Sequence, residues 1–145
     1  MSVNILVFDD TYASSNMIAF LESFDYCVYW AKEFLSANYY AEVEPGIQSF
    51  KGLIVDLDIP YVKGDFSDNE KEELSKYHVN VSGWLWIKKI LLNHEYSGVI
   101  IILSGHQKSI LDKEFKKYDG KINYISKSDS MALRNIEVFL TRSDI

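Results

Sequence analysis

The chain has 145 residues, 48% hydrophobic and 25% charged, with seven Gly and two Pro, a composition that fits one compact globular domain and argues against disorder or a second domain. Its formal charge of −6, from 15 Lys and Arg against 21 Asp and Glu, argues against direct nucleic-acid binding, which needs clustered positive charge. The lone Cys27 builds neither a disulfide framework nor a zinc site, and the start of the chain turns acidic at Asp9-Asp10 before any signal-peptide apolar stretch is complete, so a cytoplasmic protein with no membrane segment is expected.

In chain order, short aliphatic runs alternate with amphipathic stretches. Val3–Phe8 reads as a buried parallel strand, because it is almost wholly β-branched or large and apolar, and it stops at Asp9-Asp10. A helix is expected from about Ala13 to Phe24, with Met17, Phe20, Leu21 and Phe24 on one face. Tyr26–Trp30 reads as a second strand, and Lys32–Val43 as a second helix ended by Pro45-Gly46. Gly52 introduces a third strand, Leu53-Ile54-Val55, which runs into Asp56-Leu57-Asp58-Ile59-Pro60. Helical spacing resumes over Trp84–Leu92, with Trp84, Ile87 and Leu91 on one stripe. A strand at Val99–Leu103, a weaker helix at Leu111–Tyr118, a strand at Ile122–Ile125 and a helix over about Ser130–Thr141 complete five βα units. The alternation predicts an α/β fold, a doubly wound parallel sheet with helices on both faces.

One stretch breaks the rhythm. Tyr61 to Ser82 is far longer than the roughly two to six residues of an ordinary βα connection. Within it Ser67-Asp68-Asn69-Glu70 has the form of a capping box and predicts a short helix over Asp68–Tyr77. The segment leaves the strand that ends at Asp56, which raises two alternatives: it flanks or covers a site there, or it is a solvated excursion.

In an open α/β sheet, reactive groups gather at the carboxyl ends of the strands. Here those ends carry Asp9 and Asp10, Asp56 and Asp58, Ser104, and Ser126-Lys127. If the first and third strands are neighbours, up to four carboxylates crowd one rim, which raises their pKa values or demands a cation. Oxygen-only ligands suit Mg²⁺. Carboxylates, Mg²⁺, a hydroxyl and a lysine form a set for phosphoryl transfer: a nucleophile, a charge-neutralising metal and two donors to the phosphoryl oxygens.

These motifs together resemble the receiver domain of two-component response regulators over essentially the whole chain. Ile5-Leu6-Val7-Phe8-Asp9-Asp10 resembles its acidic-pair strand, and Leu53 to Pro60 its phosphoacceptor strand, with a proline four residues after Asp56. Ile100–Gly105 resembles the strand ending in Ser or Thr and a small residue, and Tyr124-Ile125-Ser126-Lys127 the strand with the switch aromatic and the lysine. The resemblance implies a flavodoxin-like (βα)5 fold with strand order 2-1-3-4-5. It implies that Asp56 takes a phosphoryl group from a histidine kinase or phosphotransfer protein with Mg²⁺ as cofactor. Asp10 and, through water, Asp9 would bind the metal with the backbone carbonyl of Asp58; Ser104 and Lys127 would hold the phosphoryl group; Tyr124 would be the rotamer switch. The face made by the helix at Leu111–Tyr118, the last strand and the last helix would dock a downstream protein effector, or a second copy as a homodimer. Two new hydrogen bonds to a charged group, at roughly 1.5–3 kcal/mol each, come close to the about 5.5 kcal/mol needed to reverse a 1:99 equilibrium.

Three features depart from the family pattern, one of them the Asp58 side chain, which two residues past Asp56 adds negative charge beside the expected phosphoryl group. Ser128 stands where proline usually follows the lysine, and the Tyr61–Ser82 insertion is foreign to it. Two other functions compete: a haloacid-dehalogenase-like phosphotransferase or phosphatase, suggested by Asp56-Leu57-Asp58, and a degenerate receiver acting only as an interaction module. The first needs an acidic pair downstream of the lysine, where only Asp129, Glu137 and Asp144 remain. With four residues after Thr141, a stand-alone receiver that signals through non-covalent partners is the expectation. His106, two residues past Ser104, is the one histidine near the expected site.

Overall fold

The computed structural model describes residues 3–11, 14–106, 111–118 and 120–142. Five strands form one parallel sheet in the order β2-β1-β3-β4-β5: β1 (Val3–Phe8), β2 (Tyr26–Ala31), β3 (Phe50–Asp56), β4 (Val99–Ser104) and β5 (Ile122–Ser126). The predicted fold class and strand order are therefore those observed. Because side chains alternate along a strand, Leu6 and Phe8 of β1 enter one core while Ile5 and Val7 enter the other.

The helices that cover these two faces are unequal. On one face, α1 (Ser14–Glu22) and α6 (Ala132–Arg142) bury Met17, Leu21, Ile136 and Leu140 against Ile54, Ile101 and Ile125. On the other, α2 (Phe34–Glu42) and α4 (Ser82–His94) bury Phe34, Ala37, Ala41, Trp84, Ile87 and Ile90 against Leu53, Val55, Ile100 and Ile102. The short helix α5 (Asp112–Lys116) links β4 to β5. Among the described residues no helix is long and apolar enough to cross a membrane.

Most expected elements are present with shifted ends. β3 starts three residues earlier than its aliphatic run, since Phe50 already pairs with Asn4 of β1. The first helix ends at Glu22, before Asp25 with its positive φ of 66° turns the chain into β2, and its expected start at Ala13 lies outside the described residues. α2 begins at Phe34, two residues after Lys32, and α5 is shorter than the Leu111–Tyr118 reading. α4 runs one turn further than Trp84–Leu92 taken together at its two ends.

The long connection between β3 and α4 contains the expected helix, α3 (Asp68–Leu74), one turn shorter than predicted. Both halves of its capping box form: Ser67 Oγ accepts from Glu70 N at 3.3 Å, and Ser67 N donates to Glu70 Oε1 at 2.8 Å. The segment is packed rather than solvated. Phe66 is buried, with its ring 4.9 Å from that of Phe34 and 5.2 Å from that of Tyr61, and Leu74 closes over the same core. Lys88 of α4 pairs with Glu73 of α3 and, at 3.8 Å, with Glu114 of α5, while Lys89 reaches Glu70 at 3.3 Å.

Candidate phosphoacceptor site

The site is built at the carboxyl end of the sheet by neighbouring strand ends. Asp9 follows β1 and is pinned to β2, because its N–H donates to the Ala31 carbonyl at 3.0 Å and its carbonyl accepts from Trp30 Nε1 at 2.8 Å. Its Oδ1 accepts from the backbone N–H of Thr11 at 2.9 Å and from the Thr11 hydroxyl at 2.8 Å. β3 lies beside β1, with Phe8 opposite Val55, so Asp56 emerges next to the acidic pair. Carboxylate oxygens of Asp9, Asp10 and Asp56 all lie within 4.8 Å of one another. From the far side of β4, Lys127 donates its N–H to the Ser104 carbonyl at 2.8 Å and its Nζ to Asp56 Oδ2 at 2.9 Å, with Asp9 Oδ2 at 3.4 Å. The peptide after Lys127 is trans to Ser128, and the lysine reaches Asp56 without a proline there.

The electrostatics follow from this crowding. Asp9 and Asp56 are almost fully buried. Burial pushes the Asp56 carboxyl up to about 6, with the Asp9 charge adding to the rise, while the Lys127 hydrogen bond and charge pull the other way. For Lys127, burial works against its charge, but the hydrogen bond and charge of Asp56, then Asp9, outweigh it and hold its pKa above the ordinary lysine value. A cavity of about 300 Å³ opens above Asp56, lined by Asp10, Thr11, Asp58, Pro60, Gly105, His106 and Lys127.

Ser104 and Tyr124 are joined through one intervening residue. Ser104 is buried and its Oγ accepts from His106 N at 2.9 Å; Tyr124, half-buried, donates its hydroxyl to the His106 carbonyl. The Ser104 hydroxyl thus faces the turn at Gly105-His106, and the turn carries Tyr124. Asp58 departs from the expected crowd of four. Its backbone N–H donates to Asp56 Oδ1 at 3.2 Å, but its own carboxylate is turned to Asn80, whose Nδ2 donates to Asp58 Oδ1 at 2.9 Å. Asp129 accepts from Met131 N at 2.8 Å in the turn before α6 and stands outside the carboxylate cluster.

Sequence reasoning missed three residues at the far end of the insertion. Ser82 is fully buried, its hydroxyl donating to the Ile59 carbonyl at 2.6 Å and accepting from Ile59 N at 3.1 Å. Asn80 donates to the Ile59 carbonyl at 2.8 Å and accepts from Ser82 N at 3.0 Å. Gly83 donates to the Leu57 carbonyl at 3.0 Å and lies so close that a Cβ there would stand 1.9 Å from the Asp56 carbonyl oxygen. None of these has a local signature, because each is defined by a partner more than twenty positions away; the one available hint was Ser82-Gly83 at the start of an amphipathic stretch. No residue of 61–82 lines the cavity over Asp56, so the insertion stands beside the site and does not cover it.

The donor set fits a hard divalent cation: three carboxylates supply oxygen ligands only, with a hydroxyl from Thr11 next to them, which is the chemistry that holds Mg²⁺.

No family model matches the chain, and no curated protein is similar to it in sequence. Solved structures are similar in fold. A chemotaxis protein of Vibrio cholerae, CheY4, superposes with a TM-score of 0.66 at 17% identity, over 98% of each chain. A response regulator from Thermotoga maritima superposes with a TM-score of 0.64 at 18% identity, over 97% of this chain and 99% of that one. A response regulator protein from Burkholderia pseudomallei, whose structure contains a phosphorylated aspartic acid, a calcium ion and citrate, superposes with a TM-score of 0.60 at 21% identity, over 99% of this chain and 73% of its own. With the 2-1-3-4-5 parallel sheet, these likenesses show that the chain has the fold of response-regulator receiver domains.

Proposed function

We propose that the protein is a receiver: Asp56 accepts a phosphoryl group from a phosphohistidine of a histidine kinase or phosphotransfer protein, and the modified site changes the surface seen by a downstream protein. The observation that carries this reading is the Asp9, Asp10 and Asp56 cluster with Lys127 bonded to its buried member. A structure of the same fold that contains a phosphorylated aspartic acid and a calcium ion supports it.

In this mechanism an Asp56 oxygen attacks phosphorus, the P–N bond to the donor imidazole breaks, and the imidazole leaves with the bonding pair. Asp9, Asp10 and the backbone carbonyl of Asp58 are the groups to hold Mg²⁺, which when bound neutralises charge on the carboxylates and phosphoryl oxygens. Lys127, already 2.9 Å from Asp56, stays as the cation paired with the transferred group. Ser104 rotates its hydroxyl from the His106 N–H toward the phosphoryl oxygens. Because His106 also accepts from Tyr124, that rotation loosens the tyrosine and alters the α5–β5–α6 face. The protein is in this reading a signalling domain that assists its own modification, acting in the cytoplasm.

Incubation with acetyl phosphate and Mg²⁺ is expected to add one phosphoryl group, seen by intact mass, and chelation with EDTA or Asp56→Asn is expected to abolish the addition. An unmodified protein, or modification that survives Asp56→Asn, overturns the reading.

A further inference from the structure

Resting on the receiver reading, we propose that Asn80, at the end of the insertion, is a positioning residue that sets the lifetime of the acyl phosphate by holding the Asp58 carboxylate away from it. Three observations carry this. Asp58 lies two residues past the acceptor, its backbone N–H bonds Asp56 Oδ1, and it lines the cavity above Asp56. Asp58 is exposed and already borders that cavity, so a change of its rotamer alone alters what its carboxylate presents there. What turns it aside is the Asn80 amide, which donates from one nitrogen to both Asp58 Oδ1 and the Ile59 carbonyl while its own oxygen is fixed by Ser82 N. The amide is held at both of its atoms, so its direction is set by backbone and not by Asp58.

Loss of the acyl phosphate is attack of water on phosphorus: the new P–O bond forms, the bond from phosphorus to the Asp56 oxygen breaks, Asp56 leaves as a carboxylate, and a proton of the water passes to solvent. A carboxylate free to accept a hydrogen bond from that water aligns it for attack. Held by Asn80, Asp58 does not reach the water; released, it does. The insertion thus acts on the site through the carboxylate clamped at its last turn, and no part of it needs to lie over the acceptor.

The test is a double-mutant cycle on the full chain, with the half-life of the acetyl-phosphate-generated acyl phosphate as readout. Asn80→Ala is expected to shorten the half-life by roughly two- to fivefold, the span set by the strength of an exposed contact to a charged group. In an Asp58→Ala background the same substitution is expected to leave the half-life unchanged. Should Asn80→Ala unfold the protein, Asn80→Ser, whose hydroxyl can still accept from Ser82 N and which adds no charge, takes its place with the same expectation. An effect of equal size in both backgrounds, or none in either, overturns the assignment of Asn80 while leaving the receiver reading intact. Absence of any acyl phosphate on the wild-type chain overturns both.

Discussion

Asp56 is a carboxylate in the wrong solvent. Its side chain is 5% exposed, beside another nearly buried carboxylate and one lysine, and burial moves its pKa from 3.8 to about 6. Between those two pH values the folded protein keeps a proton that the unfolded chain has released, so this group lowers the stability of the metal-free protein as pH rises through that window. The penalty is absent below about pH 4 and complete above about pH 6. Asp56→Asn removes it. Urea denaturation in EDTA is expected to show the variant more stable than the wild type by as much as about 3 kcal/mol at pH 7, converging at pH 4. A difference that stays constant across this range would show that burial of the Asp56 charge is not its source. The same imbalance makes the cluster ready for a divalent cation, since ligation replaces lost water with a stronger partner.

At the scale of elements, the meeting of α4 with β3 governs the site. The first turn of α4 rests on the backbone of Asp56 and Leu57, with Gly83 leaving no space for a side chain. A Cβ at this position would meet backbone carbonyl oxygen at 1.9 Å, an overlap that no side-chain rotation relieves. Gly83→Ala is expected to destabilise the protein by at least about 3 kcal/mol, the upper part of the overpacking range, and to disturb the Asp56 carbonyl; a melting temperature equal to that of the wild type would contradict this contact. Much of the element pattern was legible in the sequence because it is written locally. Short, nearly unbroken aliphatic runs announced the buried strands, and Ser67 with Glu70 announced α3 through a box that closes over three residues. The carboxylates and Lys127 were legible because a parallel sheet brings strand ends together wherever its helices run. Asn80, Ser82 and Gly83 were not, since their partners are set by the return of a long segment. The fourth carboxylate, Asp58, was misplaced for the same reason: the amide that turns it aside lies across that segment.

For the molecule as a whole, the return of that segment separates chain length from site geometry. Ile59 and Ser82 meet through a pair of hydrogen bonds at 2.6 and 3.1 Å, so the sheet and α4 are joined as though by a short connector, and the residues between form a closed ring moored to the core at Phe66 and Leu74. Near its start the ring has an exposed turn at Val62–Asp65, where Asp65 N donates to the Val62 carbonyl at 3.1 Å and the Asp65 carboxylate accepts from Val62 N at 2.8 Å. Lengthening a loop whose ends are already fastened adds little entropy loss, about 0.6 kcal/mol for each doubling. A Gly-Ser stretch inserted after Lys63 is therefore expected to move the denaturation midpoint only slightly, whereas Ser82→Ala, which removes the buried hydroxyl from this clasp and leaves the Ile59 N–H without its partner, is expected to lower stability by about 1–3 kcal/mol. This makes that turn a tolerant place to attach a fluorophore or fuse a reporter, with Asp56 left undisturbed and the clasp between the ring's ends serving as the gauge of whether the graft has pulled on it.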